Sequence, residues 1–590
     1  MDTEPDAFGI SSGWWSTDGS WQKVVPETMS ALRSAQDAQD AQEQSDGPPQ
    51  DAYLWFVHQG EAEELLSEGM ILLEDGGEVH AQTHLPTDLP LGAHLLQPMD
   101  GGPTTSLFVV PRHSLRPKRS WGWSTQLYAT RSANSWGQGD FVDLAELANW
   151  SQRTGASLLA HNPLGASLPL AHQQPSPYYA SSRGFLSPLY LRVESVTGAD
   201  LIGDQLTQAA AAGRELNRGQ FIDRDKIWAL KLAVLESIWA EVRSTRAVQH
   251  SLAIAVNDVA LTQHAQFCAL AEHHGSGWQE WPDRFQHPDS TAVQVFCSEQ
   301  ADRVSFWQWI QVECETQLLA ASRAGSGLLA DLPVGFDPNG SDAWRFQALL
   351  ALDCKIGAPP DEFNQQGQDW GLPPFVPWKL RHARYAPWLE TLRRVLKHCD
   401  TLRIDHVMGL FRLFWIPEGM TPASGGYVSQ FGAELLDLAV MEATRAGATL
   451  VGEDLGTVEA GVRSALSDRD VFGYRIGLFA EDPPERWPAT TLCSLTTHDL
   501  PTTAGLWTGA DAEQRAAAEI PPDPLGDQLL RSRLAGLAGV AEDASVSSEQ
   551  IVVSAYRSLA RSGSDLAIVP LEDATGALER PNLPGTIDEH

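Results

Sequence analysis

The sequence has few cysteines and no motif in which they could share a metal ion. Six cysteines are scattered through 590 residues, without a CxxC pair and without a histidine nearby at metal-ligand spacing. A disulfide framework and a zinc site both need clustered cysteines, so neither is expected here. The sequence predicts buried free thiols.

Basic residues and long apolar runs are also scarce. The 41 Lys and Arg side chains are outnumbered by 76 Asp and Glu, which leaves a formal charge of −35. This charge repels phosphate backbones and anionic lipids, so neither nucleic acid nor a membrane surface is expected as a partner. No apolar run has membrane-spanning length, and the N-terminus MDTEPDAFGI lacks the features of a signal peptide. The sequence predicts a soluble, cytoplasmic protein.

The chain is long enough for one large domain with smaller additions. Residues 1–50 end in an Ala/Gln/Asp repeat that runs into proline, AQDAQDAQEQSDGPPQD, which predicts a helical segment followed by a linker. In residues 51–112, short apolar stretches are broken by Gly and Pro. This pattern predicts a small β-sandwich-like N-terminal domain.

Residues 113–590 show a different pattern, in which short apolar strands alternate with amphipathic helical segments. The eight predicted strands are residues 124–130, 156–165, 326–336, 401–410, 448–458, 473–480, 491–500 and 565–576. Eight such units predict an α/β fold, a (β/α)8 TIM barrel. The long gap after the second strand has helical patterns, which predict a helical insertion at about residues 195–320.

Three acidic residues stand where predicted barrel strands end. Asp405, Glu453 and Asp499 follow the fourth, fifth and seventh strands. The carboxyl ends of barrel strands meet at one face of the molecule, so we expect these carboxylates to converge there. A single aspartate in such a place is more often a helix cap or a turn residue. Three acids, two of them beside His406 and His498, favour a catalytic site.

A pair of carboxylates across a cleft suits glycosyl transfer. One acts as the nucleophile on the anomeric carbon, and the other protonates the leaving oxygen. Arg403 lies two residues before Asp405, on the same side of the strand, and would keep that carboxylate ionised at neutral pH. Glu453 needs a raised pKa so that it starts protonated. This chemistry requires neither a metal nor an organic cofactor.

Eight segments of the chain carry a resemblance to a known family. They are WGWSTQLYATRSANSWGQGDFVDL (121–144), QQPSPYYASSRGFLSPLYL (173–191), DLPVGF with SDAW (331–344), IGAPPDEFNQQGQDWGLPP (356–374), RIDHVMGLFRLFWIP (403–417), GEDLG (452–456), THDLPTTAGLW (497–507) and RPNLPGT (580–586). These segments resemble the 4-α-glucanotransferases of the amylomaltase type, also called disproportionating enzymes, of the α-amylase clan. The resemblance extends across essentially the whole predicted barrel.

The resemblance implies a role for each of the three carboxylates. Asp405 would be the nucleophile, Glu453 the general acid/base, and Asp499 the group that binds ring hydroxyls and helps to distort the donor sugar. Arg403 and the two neighbouring histidines match positions that orient the nucleophile or contact the same sugar. The remaining implied substrate contacts are Gln368, Trp370, Tyr178 and Asp342, the first two in an acceptor-loop region at about residues 355–385.

Some of these contacts have a structural alternative. Trp370 could pack its own loop, and Tyr178 could belong to the core. Asp342 could cap the helix that is predicted to begin at DAWRFQ.

The predicted function is 4-α-glucan transfer between maltodextrin chains, by a retaining double displacement through a covalent glucosyl-aspartate. Its partners would be α-1,4-glucans and malto-oligosaccharides, as donors and acceptors. One alternative is an α-1,4-glucan hydrolase of the same clan. The other is a non-catalytic glucan-binding protein on a degenerate barrel, although the presence of all three carboxylates argues against it.

Overall fold

A computed structural model describes residues 4–16, 19–36, 53–360, 365–456, 458–542, 546–584 and 586. Within these ranges, eight parallel strands form one sheet. In chain order, the barrel strands are Ser120–Thr125, Leu158–His161, Gly327–Leu332, Thr401–Ile404, Thr449–Gly452, Gly473–Ile476, Thr491–Ser494 and Leu566–Pro570. Each strand pairs with its neighbours in the chain, and the first pairs with the eighth.

The fifth and sixth strands complete the ring. Val451 and Phe472 form a parallel bridge, in which Gly452 N–H donates to Phe472 O at 2.7 Å and Phe472 N–H donates to Leu450 O at 3.0 Å. The fifth strand is buried along its whole length, as is typical of a strand with side chains packed on both faces. The predicted (β/α)8 barrel is confirmed.

The first predicted strand was misplaced, whereas the other seven each contain an observed strand. Ser120–Thr125 is the strand, and Leu127–Ala129 forms a 3-10 turn. The Leu127 N–H donates to the Asn162 side chain at 2.7 Å instead of to a neighbouring strand, which ends the ladder there. The fourth strand also stops early, at Ile404, because His406 has a left-handed backbone with φ of 46°.

Helices surround the barrel and fill the gap between its second and third strands. The helices in that gap are Gly203–Glu215, Arg224–Val242, Arg246–Ala255, Val259–His274, Asp283–Gln286, Thr291–Glu299 and Ala301–Ser322. The later helices are Ser341–Phe346, Pro377–His382, Ala386–Leu396, Gly432–Ala446, Val462–Ser467, Thr503–Thr508, Ala510–Ala517, Pro524–Ala538, Ser548–Leu559 and Leu571–Thr575. Phe141–Arg153 follows the first strand and begins with a capping box on Asp140. A short pairing of Gly165–Ala166 with Ser182–Leu186 lies after the second strand.

A second sheet, antiparallel, is inserted beside the fourth barrel strand. Its described strands, in spatial order, are Gln368–Leu372, Cys354–Ala358, Arg412–Pro417 and Gly426–Ser429. We call these four strands the side sheet. The N-terminal segment joins its outer edge through a bridge between Ile10 and Val428. That segment contains the hairpin Gly13–Trp15 with Trp21–Lys23 and the helix Pro26–Ser34, and the Ala/Gln/Asp repeat falls almost entirely outside the described residues.

Residues 53–112 form one mixed sheet of five described strands rather than the two packed sheets of a sandwich. The strands are Leu54–His58, Gly69–Leu72, Glu78–Ala81, Gly92–Pro98 and Thr105–Val110. Leu107 and Val109 face a small core of this sheet, while Phe108 and Val110 belong to the main core of the molecule. The helix Gly432–Ala446 packs against the last strand. The barrel therefore covers the face that a second sheet would cover in a sandwich.

All six cysteines are free and buried, as predicted. Among the described residues, no helix combines the length and the apolar character needed to cross a bilayer.

Candidate active site

Asp405 and Glu453 extend the ladder of the barrel one residue beyond two adjacent strands. The Asp405 N–H donates to Leu332 O at 3.0 Å, and the Glu453 N–H donates to Ile404 O at 3.0 Å. Backbone pairing thus fixes both residues at the carboxyl ends of the fourth and fifth strands. The strands bring these two carboxylates together, as the sequence predicts.

Arg403 holds two carboxylates on its side of the barrel. Its guanidinium lies 2.9 Å from Asp405 Oδ1 and 2.5 Å from Asp331 Oδ1. The Tyr178 hydroxyl donates to the other Asp331 oxygen at 2.6 Å. Asp331 is paired in register with Arg403 on the neighbouring strand. Sequence reasoning missed Asp331, which lies inside the third strand, one residue before its end, in the run LLADL.

Burial and charge set the ionisation of Asp405. Burial is the largest effect on the pKa of Asp405; Arg403 lowers this pKa and the nearby Asp331 and Glu453 raise it, and together these effects place it at about 6. Asp405 is therefore mainly ionised at neutral pH, as expected from the sequence. Burial, however, outweighs the effect of Arg403, so the pKa lies above the ordinary value of an aspartate.

Glu453 is buried, with 8% of its surface exposed. Burial raises its pKa, whereas Arg403 and two backbone hydrogen bonds lower it. Those bonds come from the His406 N–H at 3.0 Å and the Leu455 N–H at 2.7 Å, one to each carboxylate oxygen. They fix the orientation of the carboxyl group, and the raised pKa agrees in direction with the expectation for a proton donor.

Asp499 lies on the opposite side of the barrel and is held by the C-terminal segment. Its carboxylate accepts a hydrogen bond from the Asn582 amide at 2.5 Å, and its carbonyl accepts one from Arg580 at 2.8 Å. Arg580 is in turn bound to the Asp511 carboxylate. His498 Nε2 is 3.4 Å from Asp499. The RPNLPGT motif alone gives Arg580 and Asn582 no role, because only the fold brings them to Asp499, about eighty positions earlier in the chain.

Tyr178 connects the two sides of the site. Its ring stacks on that of His498, with centroids 5.4 Å apart and planes 8° apart, while its hydroxyl binds Asp331. Asp331, Arg403 and His498 line the same cavity, which has an empty volume of about 780 Å³ including open solvent. Tyr178 itself is partly exposed and belongs to none of the hydrophobic clusters found among the described residues, which argues against the core alternative.

Gln368 and Trp370 reach the site on the edge strand of the side sheet. The Trp370 ring meets the His406 ring edge-on, with centroids 5.3 Å apart. The Trp370 Nε1–H donates to Gln368 Oε1 at 2.9 Å, which links the two side chains. His406 therefore connects the edge strand of the side sheet to the strand that Asp405 follows.

Asp342 is engaged inside the fold and is only 2% exposed. Its two oxygens accept hydrogen bonds from the Ser182 hydroxyl at 2.7 Å and the Arg183 N–H at 2.9 Å. The helix-cap interpretation is wrong, because Gly340 precedes the helix Ser341–Phe346 and no side chain caps it. Asp342 instead fixes the backbone at Ser182 and Arg183.

Comparison with known proteins identifies the relatives of this chain. The sequence profile of the 4-alpha-glucanotransferase family matches residues 125–590. A 4-alpha-glucanotransferase of Mycobacterium tuberculosis is 38% identical over 97% of this chain and 85% of its own length. A 4-alpha-glucanotransferase of Haemophilus influenzae is 33% identical over 69% of this chain and 64% of its own length.

Solved structures show the same architecture. Amylomaltase from Corynebacterium glutamicum matches 98% of this chain and 93% of its own, with a TM-score of 0.85 and 29% sequence identity. Amylomaltase from Streptococcus agalactiae, solved with acarbose, matches 80% of this chain and 94% of its own. Its TM-score is 0.66 and its identity is 19%, so this second likeness concerns the fold.

Proposed function

Because the chain belongs to the 4-alpha-glucanotransferase family, we propose that Asp405 and Glu453 carry out its glucan transfer as nucleophile and general acid/base. The observation that supports this assignment best is the network in which Arg403 joins Asp405 to Asp331 beside the buried Glu453. One carboxylate is ionised at neutral pH, and the other has a raised pKa and a fixed orientation. A double displacement needs an ionised nucleophile and a proton donor at its start, and these pKa shifts favour that division of roles.

In the first step, the Asp405 carboxylate attacks the anomeric carbon of an α-1,4-linked glucose unit. The bond from that carbon to the glycosidic oxygen breaks, and Glu453 gives its proton to the oxygen of the departing chain. A covalent glucosyl-aspartate results. In the second step, Glu453 takes a proton from the 4-hydroxyl of an incoming glucan, whose oxygen displaces Asp405. Each step inverts the configuration at the anomeric carbon, so the two steps together retain the α configuration.

The surrounding residues orient the substrate and the nucleophile. We assign binding of the donor ring hydroxyls to Asp499 and His498, which lie across the barrel from Asp405. Tyr178 would border the same sugar, because it stacks on His498. Arg403 would hold Asp405 in its attacking orientation. Asp342 is left out of the substrate contacts, since both of its oxygens are already engaged.

The acceptor side would be formed by Gln368 and Trp370, within the acceptor-loop region at about residues 355–385. Water always outnumbers a sugar acceptor, so transfer requires a surface that holds the sugar and displaces water from the intermediate. Trp370 supports this role because it stands next to His406, which follows the nucleophile directly. Each step uses only side chains and substrate hydroxyls, so we expect transfer to persist in EDTA.

Incubation with maltotriose tests the function. Transfer should yield glucose and a ladder of longer maltodextrins while the number of reducing ends stays constant. A steadily rising number would instead support the hydrolase alternative, and an unchanged substrate would support the non-catalytic one. Asp405→Asn should lower the rate by roughly 10⁴-fold or more. A variant that still forms the ladder at the normal rate would exclude Asp405 as the nucleophile.

A further inference from the structure

The N-terminal hairpin presents two tryptophans at the protein surface. Trp15 and Trp21 are paired directly across its two strands, so their side chains share one face. Their ring centroids are 5.1 Å apart, and Trp15 is 55% exposed. Trp14 points to the other face, where its ring packs edge-on against Phe414 of the side sheet at 5.2 Å. One tryptophan therefore anchors the hairpin, while the next one in the chain faces solvent.

Gly13 provides the space for one of these rings. A Cβ atom at Gly13 would lie 2.7 Å from two carbons of the Trp21 ring and 2.3 Å from Gln22 O. Gly13 does not have a positive φ, so close approach rather than backbone conformation requires glycine here. The Trp21 ring consequently rests against the strand. The hairpin is thus built to hold this ring against its backbone, beside an exposed indole.

The hairpin belongs to the structure that carries the acceptor side of the site. The Ile10–Val428 bridge joins its segment to the strand Gly426–Ser429, at one edge of the side sheet. The opposite edge is the strand Gln368–Leu372, which carries Trp370. Neighbouring strands are about 4.8 Å apart, so the two edges of this four-stranded sheet are separated by roughly 14 Å. The segment that carries the hairpin and the strand that carries Trp370 therefore border the same sheet at its opposite edges.

We propose that Trp15 and Trp21 form a secondary binding surface for α-1,4-glucan chains, outside the catalytic site. The C–H groups on the face of a glucose ring are apolar and slightly positive, and they pack well on the electron-rich face of an indole ring. Ser16 and Ser20 adjoin the two tryptophans in the chain, and their exposed hydroxyls, which bond to each other, are polar groups of the kind that bind sugar hydroxyls. A net charge of −35 disfavours nucleic acid, the other common ligand that stacks on indoles.

This proposal rests on α-glucan as the substrate of the proposed function, and it predicts a dependence on chain length. Affinity electrophoresis through gels with and without amylose measures binding to a long chain. Trp15→Ala and Trp21→Ala should each raise the dissociation constant by roughly fivefold to tenfold. Trp15→Tyr should recover part of the affinity. Gly13→Ala should resemble Trp21→Ala, because it displaces the ring although both indoles remain.

Phe221→Ala is the matched control. Phe221 is 56% exposed, on the helical insertion, and forms none of the ring pairs found among the described residues. Its removal should leave the retention by amylose unchanged. Transfer at subsaturating amylose should slow in the tryptophan variants by the same factor as binding weakens, whereas kcat/KM with maltotriose should stay constant. Maltotriose turnover therefore reports on the proposed function separately from the surface.

Two results would overturn the proposal. The first is equal retention of the wild type and both tryptophan variants by amylose, within twofold. The second is a change in sedimentation coefficient of the glucan-free variants without a change in amylose binding, which would identify the surface as a contact between copies of the chain.

Discussion

Arg403 and Asp331 have opposite effects on the ionisation of Asp405. In the proposed mechanism Asp405 must be ionised to attack, so kcat/KM should fall as the pH drops below its pKa of about 6. Arg403→Gln removes a positive charge that favours the ionised form, so this limb of the pH profile should move to higher pH. Asp331→Asn removes a negative charge that disfavours the ionised form of Asp405, so the acid limb of the pH profile should move to lower pH. Each shift should be roughly one pH unit.

The pH profile of kcat/KM with maltotriose measures both shifts. Asp437→Asn is a suitable control, because Asp437 also pairs with an arginine, Arg469, elsewhere in the molecule. It should leave the acid limb in place. If Arg403→Gln and Asp331→Asn both moved the acid limb in the same direction, their charges would not be what controls the ionisation of Asp405.

Asn582 positions a carboxylate rather than contacting the reacting atoms. Asn582→Ala removes the amide that donates to Asp499, and we expect kcat/KM to fall by roughly threefold to tenfold, a modest loss because Asp499 is half-exposed. Asn582→Asp should be worse at neutral pH, because it places a like charge against Asp499, and the two variants should converge in acid. A general structural defect would not show this pH dependence.

Gln514→Ala provides the control for the C-terminal segment. Gln514 donates to Leu578 O in the same segment but forms no described contact with Asp499. Its kcat/KM should stay at the wild-type value. A loss equal to that of Asn582→Ala would mean that both changes act by loosening the segment as a whole.

Secondary-structure elements explain which parts of the site could be predicted from the sequence. Asp405 and Glu453 follow short apolar strands, and a barrel places all such strand ends at one face, so pattern and topology were sufficient. Asp331 lies inside the third strand, Gly327–Leu332, rather than after it, and no adjacent histidine marked it. The contact of Asn582 with Asp499 could not be predicted, because the path of an irregular segment depends on long-range packing rather than on local periodicity.

The limits of strands were harder to predict than their number. LRIDHVMGLFRLFWIP is apolar almost throughout, yet it contains a barrel strand, a left-handed turn at His406, a 3-10 turn at Val407–Leu410 and a strand of the side sheet. Hydrophobicity alone does not separate these elements. The turn is decided by tertiary contacts, among them the hydrogen bond from the His406 N–H to Glu453.

The edge strand of the side sheet should control the fate of the glucosyl-enzyme. Trp370→Ala opens the acceptor side to water, and we expect the share of hydrolysis to rise by roughly fivefold. The ratio of new reducing ends to total glycosidic cleavage measures this share. Lys355→Met is the control, since it removes only an exposed ion pair to Asp369 on the same pair of strands. An unchanged ratio in Trp370→Ala would contradict the acceptor role.

The N-terminal five-stranded sheet contacts the barrel in two chemically different ways. Glu74 forms ion pairs with Arg393 at 2.5 Å and Arg445 at 2.9 Å, and Glu442 also binds both arginines. Next to this charged group, Phe108 is almost completely buried and stacks on Phe56 with centroids 4.8 Å apart. The two contacts should differ widely in their contribution to stability.

Apolar burial should hold the two parts together. Phe108→Ala leaves a cavity in the main core and should reduce the free energy of unfolding by about 3–5 kcal/mol. Glu74→Ala should cost about 1 kcal/mol or less, because its pairs are partly exposed and both arginines keep Glu442 as a partner. Urea unfolding measures both, with the fully exposed Leu66→Ala as a control that should have no effect. Equal losses for Phe108→Ala and Glu74→Ala would show instead that charge docks this sheet, and high salt should then weaken the contact.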